Sequence, residues 1–267
     1  MKILIIGGGN MGMTYAHSFL RSHITSKQDM MILERSPEKA AELATKDIGT
    51  VYGQPDECMT RADLIILAVK PQDAASLFAS IRHTVDAQQV FLSIMAGVQI
   101  ATISEALGAK KIIRAMPNLP AQIGMGMTAF TSSEEVTRIE LVTVQNLLNT
   151  TGKTVYVENE SAIDGATAIS GSGPAYVWFF MNAMLKAAQN MGFTYSESEL
   201  LVRQTFQGAI ELYNATDYSF EEWIQKVCSK GGTTEAALNT YRKNDLEQRI
   251  INGATAALHR AQELGSK

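Results

Sequence analysis

Lys2-Ile3-Leu4-Ile5-Ile6-Gly7-Gly8-Gly9-Asn10-Met11-Gly12 runs from a short aliphatic segment straight into a cluster of glycines. A β-branched run, then Gly7, Gly9 and Gly12 at G-x-G-x-x-G spacing, then a helical pattern meets both context requirements of the dinucleotide-binding fingerprint. Each glycine has its own physical task. Gly7 permits the tight turn, Gly9 lets a pyrophosphate approach the backbone, and Gly12 lets helix and strand pack closely. Asn10 and Met11 open the helix, whose N-terminus receives the anion. An acidic residue, Glu34, follows Gly12 by twenty-two positions, at the end of the next strand. A carboxylate there accepts hydrogen bonds from a ribose 2′-hydroxyl and favours NADH, whereas Arg35 and Ser36 beside it suit the 2′-phosphate of NADPH. A solvated Glu-Arg pair at a strand end is the plainer alternative.

Working outward, aliphatic runs alternate with helical stretches through the first half, as expected of a parallel sheet with crossover helices. Strands are expected at 2–6, 30–33, 64–69, 90–94, 111–114, 127–131 and 154–157. Between them, Ser36-Pro37-Glu38 opens a helix over Ser36–Thr45, with Ser36 as N-cap and Pro37 at the first helical position. Right-handed crossovers then give an α/β, doubly wound sheet of the Rossmann type. Strand signals stop after Glu158-Asn159-Glu160, which places the boundary between a dinucleotide-binding domain, 1–158, and an all-helical domain, 159–267. In the second domain Tyr176, Phe180, Ala183, Met184, Ala187 and Met191 recur at helical spacing from Ser172 to Gly192, a packing face for the chain's own core or for a second copy. Ser219 and Glu222 have capping-box spacing, and 245–264 is a long amphipathic stretch closed by Gly265.

The 267 residues, 46% hydrophobic, suffice for two domains. A formal net charge of −4 offers no basic field for nucleic acid or an anionic membrane. Cys58 and Cys228 lie far apart without metal-ligand spacing, as expected of small apolar residues in a reducing compartment, and the N-terminal apolar run is too short for a membrane span. The expected location is cytoplasmic.

Three further constellations carry chemistry. Ala68-Val69-Lys70-Pro71 ends a buried strand at the edge where open α/β sheets bind ligands, and Lys70 there can reach a ribose or phosphate. The small residues of Ser93-Ile94-Met95-Ala96-Gly97 end the following strand and permit close approach of a flat nicotinamide ring. Ser229-Lys230-Gly231-Gly232-Thr233-Thr234 places two glycines ahead of a helix start, a natural carboxylate site, although an ordinary glycine turn with a threonine N-cap reads the same way. The four histidines lie outside all of these segments, and no metal set or Ser-His-Asp set can be assembled by spacing.

In this order, with Met116-Pro117-Asn118-Leu119-Pro120 and Ser170-Gly171-Ser172-Gly173-Pro174-Ala175, these segments make the chain resemble the 1-pyrroline-5-carboxylate reductase family over essentially its whole length. The 229–238 segment is the most specific. The resemblance implies hydride transfer from NADPH or NADH to the imine carbon of 1-pyrroline-5-carboxylate, giving proline. It implies a helical domain that intertwines with a partner copy into a homodimer, in some members a ring of dimers. The cofactor lies on one subunit and the 229–234 loop comes from the other. On that basis Ser229 and the amides of Gly231, Gly232 and Thr233 bind the substrate carboxylate, Thr234 hydrogen-bonds the ring nitrogen, and Asn118 lies near the nicotinamide. Leu119 stands where the family usually has threonine, and Glu34 where asparagine or serine is common. Two rival readings share the two-domain plan: a cofactor-binding paralogue without turnover, and a 3-hydroxyacid dehydrogenase using Lys186.

Overall fold

The computed structural model describes residues 1–265. Eight strands, β1 (Ile3–Ile6), β2 (Met30–Leu33), β3 (Thr50–Tyr52), β4 (Leu64–Leu67), β5 (Val90–Ser93), β6 (Ile112–Met116), β7 (Gly126–Ser132) and β8 (Gly152–Tyr156), form one sheet in the order β3-β2-β1-β4-β5-β6-β7-β8. The helices set among them are α1 (Asn10–Arg21), α2 (Pro37–Ala44), α3 (Asp56–Met59), α4 (Ala74–Ile81), α5 (Ile100–Leu107), α6 (Arg138–Asn149) and α7 (Ser161–Ala166). There follow α8 (Gly173–Asn190), α9 (Tyr195–Asn214), α10 (Phe220–Val227), α11 (Thr233–Lys243) and α12 (Leu246–Gly265).

The central strands are fully buried, and alternate residues serve opposite faces. Leu4 and Ile6 pack with Phe78 and Ile103 on one side, Ile3 and Ile5 with Tyr15, Phe19 and Val144 on the other. A continuous Ile-Leu-Ile-Ile run is what a strand covered on both faces requires. β1 to β6 are parallel, whereas β7 runs antiparallel to β6 and parallel to β8. The reason lies in the connections. Nine residues, 117–125, separate β6 from β7, too few for a helical crossover, whereas α6 gives the β7–β8 connection its full crossover. Two details went beyond the sequence pattern: this reversal, and β3, whose three residues are too short to show a period.

Compactness divides the chain into Met1–Ser172 with the stretch from Ala257, and Gly173–Ala256. In the first unit, α7 and a π-helical turn, Thr167–Gly171, follow the sheet. In the second, α8 packs on α9, and α9 and α10 each start with a complete capping box, Thr194 with Glu197 and Ser219 with Glu222. This unit buries little within its own chain. α8 has no buried residue, and Trp178, Phe179 and Met184 on it are exposed. Apolar area on that scale marks an association surface.

Among the charged side chains buried in the first unit, Arg114 is the most enclosed. Arg114 on β6 is 1% exposed, and its guanidinium donates to Asp164 Oδ1 at 2.7 Å and Glu160 Oε1 at 2.9 Å. Glu160 Oε1 also accepts the Ile100 amide at 2.8 Å, so three segments distant in sequence meet on one side chain. Removing one partner of such a pair leaves an uncompensated buried charge, which costs about 3–5 kcal/mol. Arg114→Met is therefore expected to lower Tm by roughly 6–20 °C in a chain of this size, read by calorimetry. A fall below about 2 °C would show that water already solvates the cluster.

Candidate functional site

The glycine turn is held by contacts that no side chain could survive. Gly7 has φ +106°, and a Cβ there would lie 2.7 Å from the Ala68 carbonyl oxygen. A Cβ on Gly12 would lie 2.2 Å from the Gly7 carbonyl oxygen. Gly9, by contrast, has nothing within 4 Å of its Cβ position and stands as N-cap of α1 with no side-chain cap. Open space above Gly9 and first-turn amides on Asn10, Met11 and Gly12 without intrahelical acceptors form an anion cradle that fits a pyrophosphate.

The strand order sets what surrounds this cradle. β1 lies between β2 and β4, so Glu34–Ser36 and Ala68–Pro71 flank the turn from either side, at the carboxyl edge of the parallel strands. Glu34 is almost fully buried. Its Oε2 accepts the Gly8 amide at 3.2 Å and pairs with Lys39 Nζ at 3.2 Å, while Oε1 accepts the Ser36 amide at 3.1 Å. Desolvation raises its pKa, but the Ser36 amide, Lys39 and the Gly8 amide together outweigh this and hold the carboxyl below its ordinary value. Ser36 caps α2 as expected, accepting the Lys39 amide at 3.3 Å. Arg35 reaches across to Asp73, 2.8 Å away, at the end of the turn that Pro71 begins. Lys70 is exposed.

Other expected residues have different surroundings from those the sequence suggested. Met95 is 2% exposed and its side chain belongs to the core, so only its backbone can meet a ligand. The space beside Gly97 is taken by the end of α12, since a Cβ there would lie 3.0 Å from Leu264. Ala96 between them is partly exposed. Both ends of the Asn118 amide are engaged internally, Nδ2 donating to the Ser170 carbonyl at 3.0 Å and Oδ1 accepting the Met127 amide at 2.9 Å. Asn118 thereby ties β7 to the π turn, and Leu119 next to it is exposed.

In the second unit Gly232 is the N-cap of α11, without a side-chain cap, and Thr233 and Thr234 are its first two residues. The loop is folded on itself: the Gly231 amide donates to Glu235 Oε2 at 2.7 Å, and the Gly232 amide to the Ser229 carbonyl at 3.0 Å. The sequence reading had not singled out Glu235, although its N3 position on a glycine-capped helix is a capping signal. Glu160, Asp164 and Asp73 were missed too. Lys186 is exposed on α8, and Cys58 and Cys228 are both free thiols. Among the described residues no cluster of metal-ligating side chains occurs, and no helix is long and apolar enough to cross a membrane.

Known proteins resemble the chain over its whole length. The family model for pyrroline-5-carboxylate reductase dimerisation matches residues 160–264, and that for NADP oxidoreductase, coenzyme F420-dependent, matches residues 2–97. Pyrroline-5-carboxylate reductase 2 of Bacillus subtilis is 36% identical over 265 residues, 98% of this chain and 95% of the relative. The solved structure of a pyrroline-5-carboxylate reductase from Coxiella burnetii superposes with a TM-score of 0.90 at 30% identity, covering 98% of each chain. That of the Plasmodium falciparum pyrroline carboxylate reductase with NADP bound superposes at 0.88 and 27% identity, covering 99% of this chain and 98% of that one.

Glu34 also yields a pH test. Its folded pKa lies below the ordinary value of 4.5, so its stabilising contribution is complete above that pH and is lost as pH falls through the folded value. The Tm deficit of Glu34→Gln is therefore expected to be largest at neutral pH and to shrink on acidification below 4.5, in thermal melts of both proteins. Melting curves that stay parallel down to acid pH would show that Glu34 is not held as a carboxylate by these donors.

Proposed function

This chain belongs to the pyrroline-5-carboxylate reductase family and is an NAD(P)H-dependent reductase of proline biosynthesis; we propose that it works through a site shared between two copies. Residues 1–158 carry the cofactor, and 159–267 supply the substrate loop and the self-associating helices. The observation that supports this reading is that each unit has a helix opened by glycine at its N-cap, Gly9 before α1 in the first and Gly232 before α11 in the second. Each is suited to an anion, the first to a pyrophosphate and the second to a carboxylate.

The nicotinamide, when bound, supplies the hydride that adds to the imine carbon. Gly7, Gly9, Asn10, Met11 and Gly12 hold the pyrophosphate, Glu34, Arg35 and Ser36 meet the adenosine ribose, and Ala68–Pro71 border the other side. The backbone of Met95, Ala96 and Gly97 limits the space next to the nicotinamide, and Asn118 positions the π turn beneath it. Ser229 and the amides of Gly231, Gly232 and Thr233 bind the substrate carboxylate. For that, Glu235 must release the Gly231 amide, so the arriving carboxylate exchanges places with one already present. Thr234 hydrogen-bonds the ring nitrogen and orients the imine, which needs no strong acid because its protonated form is already electrophilic.

Both NADH and NADPH serve as donors. The homodimer is the catalytic unit, and assembly into rings of dimers would leave each shared site intact. Neither nucleic acid nor a membrane has a role in this scheme, and the two free thiols suit the cytoplasm.

Thr234→Ala is expected to lower kcat about 10- to 1000-fold with cofactor binding retained, since one hydrogen-bond partner of the reacting nitrogen is lost. The assay is NAD(P)H oxidation with pyrroline-5-carboxylate, and wild-type turnover would remove Thr234 from the mechanism.

Subunit mixing tests the sharing. Gly9→Asp and Thr234→Ala are each nearly inactive, but in their heterodimer one shared site combines both defects and the other has neither. Equal mixing should restore about one quarter of wild-type activity. Sites confined to single chains would each keep one defect, and activity would never exceed that of the parents.

A further inference from the structure

Two cations lie at the end of β2, and each is already held by a carboxylate. Lys39 Nζ is 3.2 Å from Glu34 Oε2, and Arg35 Nη2 is 2.8 Å from Asp73 Oδ1. Asp73 comes from the far side of the turn, 38 positions along the chain, on the segment that follows β4. Asp73 closes the short turn Pro71–Asp73, which runs directly into α4 with helical dihedrals at Asp73 (φ −91°, ψ −8°), so its side chain is not engaged as a helix cap. The carboxylate is turned away from its own helix and towards Arg35.

We propose that Asp73 is a nucleotide-selectivity residue: by holding the Arg35 guanidinium it disfavours the 2′-phosphate of NADPH and tilts the enzyme towards NADH. This deepens the reading of the cofactor site given above and rests on it. A 2′-phosphate carries between one and two negative charges and needs a guanidinium free to bind it bidentately. Here Arg35 and Lys39 supply two positive charges, and Asp73 and Glu34 cancel both. An arriving 2′-phosphate must first detach Arg35 from Asp73. The 2′-hydroxyl of NADH meets no such obstacle. It only needs an acceptor, and Glu34, with three hydrogen-bond donors on about four lone-pair sites, keeps one free. The Arg35–Asp73 pair is partly exposed, so it biases the choice and does not forbid NADPH, in keeping with use of both nucleotides.

The test measures binding as well as turnover. Dissociation constants for NADP⁺ and NAD⁺ are obtained by calorimetric titration, and kcat/KM for NADPH and NADH by steady-state assay. Asp73→Asn removes the charge and keeps the side chain's size and shape; Asp73→Ala is the companion that cannot hydrogen-bond Arg35 at all. Each should move the NADP⁺/NAD⁺ affinity ratio towards NADP⁺ by about tenfold, or about 1.4 kcal/mol. Arg35→Ala should move it the opposite way by a similar factor. In the Arg35→Ala background, Asp73→Asn should change the ratio by no more than about twofold, because Asp73 then has nothing to hold. A full-sized effect of Asp73→Asn in that background would mean direct repulsion and would overturn the role assigned to Arg35. Tight binding of both nucleotides with an unchanged ratio in both Asp73 variants would overturn the proposal and leave the cofactor site standing. Failure of the wild type to bind either nucleotide would overturn the cofactor site and the proposal together.

Discussion

Everything at the nucleotide edge depends on how closely α1 approaches β1. Gly12 and Gly7 are in contact at a distance that excludes even one methyl group, and Gly7 is pressed in turn against the carbonyl of Ala68 on the neighbouring strand. These contacts fix the start of α1 over the junction of three parallel strands. Because β1 is flanked by β2 and β4, which lead to different loops, the turn lies at the point where the chain's path through the sheet changes direction. Glu34 and Asp73 reach the site only because of that topology. A bulkier residue at Gly12 would force the helix start away from the Gly7 carbonyl and from β1.

The helical half obeys a different constraint. Residues of α8 recur at the spacing of a buried face, yet the helix buries none of them in its own chain. Such a face is costly in water, by roughly 25 cal/mol per Å² of apolar surface left uncovered. A second copy removes that cost, which is why a dimerisation family model covers this segment of the chain. The α11 loop is carried by the same unit.

Legibility in the sequence followed the range of the interaction. The β1 run, the glycine spacing, the Ser36 and Ser219 caps and the amphipathic helices are local patterns, and the structure has them where the pattern put them. The location of Glu34 at a strand end was equally local. Its actual partners were less so: Gly8 is 26 positions away, and Asp73 is 38 from Arg35. Nothing in a linear pattern announces that α12 closes on Gly97, because that contact joins residues more than 160 positions apart. β3 escaped for a different reason, being an edge strand with too few residues for alternation to register. The antiparallel turn into β7 was legible in principle, from a connection too short for a crossover, but the strand pattern alone carries no direction.

The Arg114 cluster shows what such unreadable contacts accomplish. A buried arginine with two carboxylates is a poor source of net stability, because desolvating three charges consumes most of their attraction. Arg114 makes four of its five N–H groups available in one plane, and its Nε finds no partner. Optimised stability would have replaced all three charged groups together by hydrocarbon. What the cluster provides is geometric uniqueness: Glu160 also takes the Ile100 amide, so the start of α5, the strand β6 and the helix α7 meet at one orientation. A few residues on, Asn118 performs the neutral version of this task, joining the end of β6 to β7 and to Ser170 in the π turn. The chain therefore leaves its sheet along a path specified twice, once by charge and once by an amide. A hydrophobic replacement of the whole cluster could preserve the burial but would leave the direction of that path free.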